Sequence, residues 1–311
     1  MLLTMRIGLH SAIIRVLDFD RGVDEVARLL GRRPRWLGVD GETGARIALH
    51  ALGDLLLEVR GPSDPDLVAG TPEVGARQEA RQEARQEGRE EAPAEGLCGL
   101  RLQIDLEQDP AAMKLAARVA ASAGSLGELR PEGAMGSAGA PDRAWRRLQV
   151  DPARSRSIPI DLVSEDMSWL SACEGDSDAG LPPGGVEALD HVVILSADLE
   201  ASRSFYGSDL GIRLALDRSF EAREVRLLFF RIGGVTLEIG GRLGAEPRPE
   251  APDRFGGLAW RVADADAAHA RLSADGFDVS AVRPGHKAGT RVLTVRGPVH
   301  GVPTLLIEPD R

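Results

Sequence analysis

The 311 residues include only two cysteines and two lysines, and no apolar run approaches the roughly 18 residues that a membrane-spanning helix needs. Two isolated thiols, Cys98 and Cys173, make neither a disulfide framework nor a zinc site. The N-terminus, MLLTMRIGLH, has no long apolar stretch followed by a small-residue cleavage site, so the expectation is a cytoplasmic protein. Lys114 and Lys287 are the only lysines among 38 basic residues, a bias that accompanies GC-rich coding and carries no functional information. Positive charge is in deficit: 48 acidic residues give a formal net charge of −10. That balance argues against non-specific nucleic-acid binding, which needs a basic surface to displace phosphate counterions. Hydrophobic residues make up 43% of the chain, enough for a sizeable core, and the length suits about two domains.

The chain repeats itself. Residues 11–61 and 191–241 align at a constant offset of 180 without a gap, and ten of the 51 positions are identical. The identities fall where backbone geometry restricts residue choice. Ile14 matches Ile194 inside a period-2 apolar run that reads as a strand. Asp18 matches Asp198 as a helix N-cap. Leu30-Gly31 matches Leu210-Gly211, where an amphipathic helix should stop. Gly53 matches Gly233 at a hairpin turn, Leu57-Glu58 matches Leu237-Glu238, and Gly61 matches Gly241. A second pair of segments follows, opening on Gly99-Leu100 and Gly257-Leu258. Each enters an Ala-rich helix, near 109–123 and 264–275, and each ends on a strand pair. The chain therefore reads as four β-α-β-β-β modules.

The first half carries two insertions that the second lacks. Residues 75–95 repeat Arg-Gln-Glu-Ala; with no apolar face, this segment reads as a solvated excursion, the alternative being a partner-binding arm. The Gly/Ala/Ser-rich stretch near 122–142 reads as a loop. Residues 165–187 are acidic and rich in Gly, Pro and Ser, and read as an inter-domain linker in which Trp169 and Leu170 could dock. The expected domains are thus 1–164 and 188–311.

Residues 189–214, LDHVVILSADLEASRSFYGSDLGIRL, resemble the opening strand and helix of the glyoxalase, or vicinal-oxygen-chelate, superfamily. VTLEIGG (235–241), GLAWRVADADAAHARLSADGF (257–277) and HGVPTLLIEP (300–309) resemble the later parts of the same domain; the likeness extends more weakly over 9–164. The resemblance implies an α+β fold, with four βαβββ modules paired into two domains of curled mixed sheet. It also implies a cup with metal ligands at four places, where a divalent ion holds two substrate oxygens and stabilises an enolate or oxyanion.

Carried over by position, the second half offers His191 and Glu238 at the first two places, with Gly257 and Leu305 at the third and fourth. The first half offers Ser11, Glu58, Gly99 and Asp161. His10 lies next to Ser11, but one residue along a strand reverses the face. If cups were built from modules of different halves, His191, Glu238 and Asp161 would make a three-ligand site. Glu58 and Glu238 sit within apolar strands, so each should face a solvated cup or pair with an arginine. Glu58, Glu238 and His286 are the candidate acid–base groups; His300, before the last strand, is another histidine to place. Trp260, Phe229 and Phe230 are core or ligand-stacking residues.

Two functions compete. One is a lyase or isomerase using one divalent metal ion and no nucleotide cofactor. The other is a metal-free small-molecule binding protein, like the superfamily's antibiotic-sequestering members. The incomplete ligand set disfavours glyoxalase I and extradiol dioxygenase activity. The expected partners are a small-molecule ligand and the other half of the same chain, in a monomer or homodimer.

Overall fold

The computed structural model describes residues 7–40, 43–63, 94–105, 109–119, 125–131, 143–167 and 180–310. Most of the 75–95 repeat, together with Trp169 and Leu170, lies outside them.

Local signals act as the repeat implies. Helix α1 (Phe19–Leu30) starts where the Asp18 carboxylate accepts the Arg21 N–H, and it buries Phe19, Val26, Leu29 and Leu30. It stops at Gly31, whose φ of 74° is left-handed; the matched Gly211 adopts 71°. Asp198 caps the shorter helix of the second copy in the same way.

The first half forms a closed eight-stranded barrel in the order β1-β4-β3-β2-β6-β7-β8-β5. Its strands are β1 (Gly8–Arg15), β2 (Trp36–Asp40), β3 (Ala45–Leu52), β4 (Leu55–Ser63), β5 (Gly96–Gln103), β6 (Ser125–Pro131), β7 (Arg143–Gln149) and β8 (Ile160–Ser164). Helix α2 (Pro110–Val119) follows β5. The second half forms an open sheet of β9 (Val186–Leu195), β10 (Arg213–Phe220), β11 (Val225–Ile232), β12 (Val235–Arg242), β13 (Arg254–Val262), β14 (Asp278–Val279), β15 (Arg283–Pro284), β16 (Arg291–Gly297) and β17 (Thr304–Glu308). Helix α3 (Leu199–Arg203) runs on into a π-helical stretch at Ser204–Asp209, and α4 (Ala265–Ala274) follows β13. These are the four expected modules, and the registers of the two copies superpose at the offset of 180. Ser11 pairs with Leu56 as His191 pairs with Thr236, and Trp36 with Leu49 as Leu216 with Phe229.

Two expectations need correction. The stretch 122–142 is not all loop, because Ser125–Pro131 forms β6 between β2 and β7. It pairs with β7 over Ser125–Leu129 and with β2 over Leu129–Pro131, so long-range pairing makes a strand within a stretch whose overall composition reads as loop. The stretch 165–187 is not all linker either. Strand β9 begins at Val186, a fully buried residue paired with Val262.

The halves differ in closure. Strand β6 joins β2 and seals the barrel. Its counterparts β14 and β15 have two residues each, and β10 pairs only with β11 among the described residues. One apolar core runs through both halves, from Leu9 to Leu306. Guanidinium groups fasten the halves by donating to backbone carbonyls. Arg271 reaches the last turn of α1 at Leu29 (2.9 Å), and Arg28 reaches Asp275 (2.8 Å). No helix among the described residues is long and apolar enough to cross a membrane.

Candidate functional site

Period-2 alternation gives the second sheet two faces. Val192, Ile194, Leu237 and Ile239 point into the core. His191, Val193, Leu195, Thr236 and Glu238 point the other way, with His191 beside Thr236 and Val193 beside Glu238. Strand β13 sets Ala259 opposite His191, and β17 sets Leu305 beside Ala259. The four places carried over from the resemblance therefore share one face. Glu308 lies on the reverse, where it accepts the Ala265 N–H at the start of α4 (2.9 Å).

A groove of about 1090 Å³ opens on this face, between the sheet and the segment 244–252. Val193, Leu195, Leu227, Glu238, Gly240 and Arg254 line it. Glu238 is half-buried and makes no hydrogen bond or ion pair among the described residues. His191 pairs through Nδ1 with Asp190 Oδ1 at 2.9 Å, and that bond holds the Asp190 carboxyl below its ordinary range.

The donor set does not fit a metal ion. Gly257, at the third place, has a φ of 141°, and a Cβ there would lie 2.3 Å from the Pro303 carbonyl oxygen, so no side chain can occupy it. Leu305 offers no donor. The proposed third ligand, Asp161, lies on β8 inside the first barrel, away from His191 and Glu238. The reason is topological: β1 pairs with β5 and β9 with β13, so each half builds its own sheet. The three-ligand set His191, Glu238 and Asp161 is therefore not brought together. Among the described residues no cluster of three His, Cys, Asp or Glu could hold a metal ion.

In the first barrel the matched glutamate is locked. Glu58 is fully buried and takes both nitrogens of the Arg101 fork, with Nη2 at 3.3 Å from Oε1. Arg60 Nε donates to the same carboxylate at 3.1 Å, and Arg60 Nη2 reaches Asp40 at 2.9 Å. Burial works against the charge on Arg60, but Glu58 and Asp40 outweigh it and raise its pKa above the ordinary arginine value. Asp161 lies 3.8 Å from Arg101 and 3.9 Å from Arg147. Burial pushes its carboxyl up against the pull of both. In the second half, Gly240 occupies the place of Arg60 by the repeat offset, and Ala259 the place of Arg101 by register. Leu305 stands where Asp161 does. With Gly and Ala in place of the two arginines, Glu238 has no partner among the described residues.

The remaining histidines sit elsewhere. A register shift between Leu9 and Ser11 accompanies His10, which is buried at one end of the barrel with Nε2 2.9 Å from Glu165. His286 is exposed and meets Arg223 at 3.1 Å, outside the residues that line the groove. His300 joins Glu25 of the first half at 3.0 Å. Trp260 and Phe230 are core residues, whereas Phe229 lies on the cup face beside Glu238. For Glu58 the structure takes the arginine-pairing alternative; the sequence did not name Arg60 or Arg101, although the Arg60/Gly240 mismatch lies within the aligned repeat.

Residues 190–294 match the glyoxalase/bleomycin resistance protein/dioxygenase superfamily. That match lies within the second half of the chain. Nearly the whole chain superposes on solved structures, a likeness of fold. A triple mutant of 4-hydroxymandelate synthase from Streptomyces coelicolor shares 16% identity, with 97% of this chain and 92% of that one covered and a TM-score of 0.59. The Mn(II)-bound glyoxalase from Novosphingobium aromaticivorans shares 14% identity over 98% of this chain and 83% of that one, with a TM-score of 0.57. BphC, a halotolerant catechol dioxygenase, shares 14% identity over 98% and 87%, with a TM-score of 0.56. At these identities the superfamily likeness is one of fold. A search of curated proteins gives no match.

Proposed function

We propose that the second domain binds a small organic molecule in its cup without a metal ion, and that Glu238 accepts a hydrogen bond from it. The observation that carries this reading is the Glu238 carboxylate, unpaired among the described residues, on an open face where Gly240 and Ala259 take the places of the two arginines that hold Glu58 in the sealed copy. The groove is of ligand size, since small-molecule sites span about 300–1,000 Å³. Its floor is apolar at Val193, Leu195 and Leu227. At its lip, Arg248 and Arg254 carry side chains without an ion-pair partner among the described residues. A fitting ligand has an apolar body, a hydrogen-bond donor for Glu238 and an anionic group for the lip. The lyase or isomerase alternative has little support, because Gly257 and Leu305 occupy two of the four donor places.

The dye 8-anilinonaphthalene-1-sulfonate joins fused and single rings, an N–H donor and a sulfonate, and so tests this chemistry. Its fluorescence titration should saturate at one site per chain. Leu227→Arg should weaken binding about tenfold, or about 1.4 kcal/mol. Metal analysis after Mn(II) loading should find well under one ion per chain. A stoichiometric ion that is lost in His191→Ala contradicts the proposal.

A further inference from the structure

We infer that the first domain shapes the ligand cup of the second through Arg156, a positioning residue for the rim segment 248–253. The inference rests on the reading of that cup as the ligand site. No described residue of the first domain lines the groove. One of them nevertheless holds the wall that does. Arg156 lies in the turn between β7 and β8, and it and Ser157 adopt φ values of 53° and 70°. Two successive non-glycine residues in the left-handed region are uncommon and persist where surrounding contacts hold them. The turn holds itself: Ser155 N–H donates to the Asp151 carbonyl (3.0 Å) and Ser157 N–H to the Pro152 carbonyl (2.8 Å). The unusual backbone aims Arg156 out of its own domain and into the other.

There the guanidinium is used on every side. Nε donates to Asp253 Oδ1 at 3.0 Å and Nη1 to the Pro249 carbonyl at 3.1 Å. Nη2 donates to the Ala251 carbonyl at 2.9 Å and reaches the Arg248 carbonyl at 3.5 Å. The Arg156 carbonyl accepts the Asp253 N–H at 2.8 Å. The Asp253 side chain is 1% exposed, and its second oxygen accepts the hydroxyl of the buried Ser202 on α3 at 3.0 Å. Arg156 thus links three carbonyls of the rim to a carboxylate anchored on α3. Arg248, Ala251, Pro252 and Arg254, on and beside that rim, line the groove. Satisfying these acceptors at once needs the planar five-donor fork of arginine; a lysine ammonium offers three donors from one point. The grip has a second point of contact, because Arg118 of α2 donates to the Asp209 carbonyl and Arg154 lies 3.8 Å from the Asp209 carboxylate.

Hydrogen exchange of the full-length chain tests the clamp directly. In Arg156→Ala, amides of 246–253 should exchange at least tenfold faster, with the barrel strands unchanged. Dye affinity should fall by about tenfold. Millimolar guanidinium should restore both, a rescue that general destabilisation would not show. Arg156→Lys keeps the charge and should still show the faster rim exchange. Unchanged rim exchange in both variants overturns the inference, as does a rise spread evenly over both domains without rescue. If the wild-type chain fails to bind the dye at one site, the cup reading fails, while rim exchange decides the clamp by itself.

Discussion

The two copies share a scaffold and part at the residues that surround one glutamate. In the sealed barrel, Glu58 is buried between Arg101 and Arg60, with Asp40 and Asp161 completing an internal charge network. In the open cup, Glu238 stands on the matched strand position with Gly240 and Ala259 as neighbours. The same carboxylate is a structural element in one copy and an available acceptor in the other. Closure follows the same division. Strand β6 seals the copy whose interior combines the Glu58 ion pairs with the buried Trp36, Ile47, Leu49 and Leu56, and two-residue strands leave open the copy whose face carries Glu238. On the proposed reading, one copy supplies docking and support while the other supplies the binding surface.

The largest difference between the copies should appear on deleting the glutamate. Glu58→Ala removes the carboxylate that both nitrogens of the buried Arg101 fork engage and should cost about 3–5 kcal/mol in urea unfolding. Glu238→Ala, at a solvated position without partners, should change stability by less than about 0.5 kcal/mol. Equal losses in the two variants would break the comparison.

A second contrast lies on the core side of the adjoining strands β3 and β11, where His50 occupies the position matched by Phe230. Burial depresses the His50 imidazole to about 3. The unfolded chain takes up that proton near pH 6.5, and the folded chain only near pH 3. Between these values the unfolded state binds more protons, so stability falls as pH drops, by up to about 1.4 kcal/mol per unit. His50→Phe should remove that slope, leaving the variant's stability changed relative to wild type by about 2 kcal/mol more at pH 5 than at pH 7. An unchanged pH profile would show that His50 does not carry it.

The sequence made the scaffold legible because the repeat fixes it at points where few residues serve. Asp18 and Asp198 cap helices, Gly31 and Gly211 end them, and the strand periods place Glu58 and Glu238 on matched faces. What it concealed was long-range. Strand β6 reads as loop by composition and is a strand only because β2 and β7 flank it. The pairing of β1 with β5 and β9 with β13, which separates Asp161 from His191, is set by tertiary topology rather than by any local signal. Arg60, Arg101 and Arg156 belong to no motif, and arginine is abundant in this chain. The alignment of Gly99-Leu100 with Gly257-Leu258 sets Arg101 against Ala259, but only the structure shows that Arg101 reaches Glu58.

That substitution gives the most direct test of the account. Ala259→Arg with Gly240→Arg writes the first copy's guanidinium pair beside Glu238. The double variant should fold, and its affinity for 8-anilinonaphthalene-1-sulfonate should drop at least about tenfold as the carboxylate becomes engaged and the cup fills. A folded double variant that binds the dye as the wild type does would contradict the claim that a free Glu238 in an open cup is what the second domain uses.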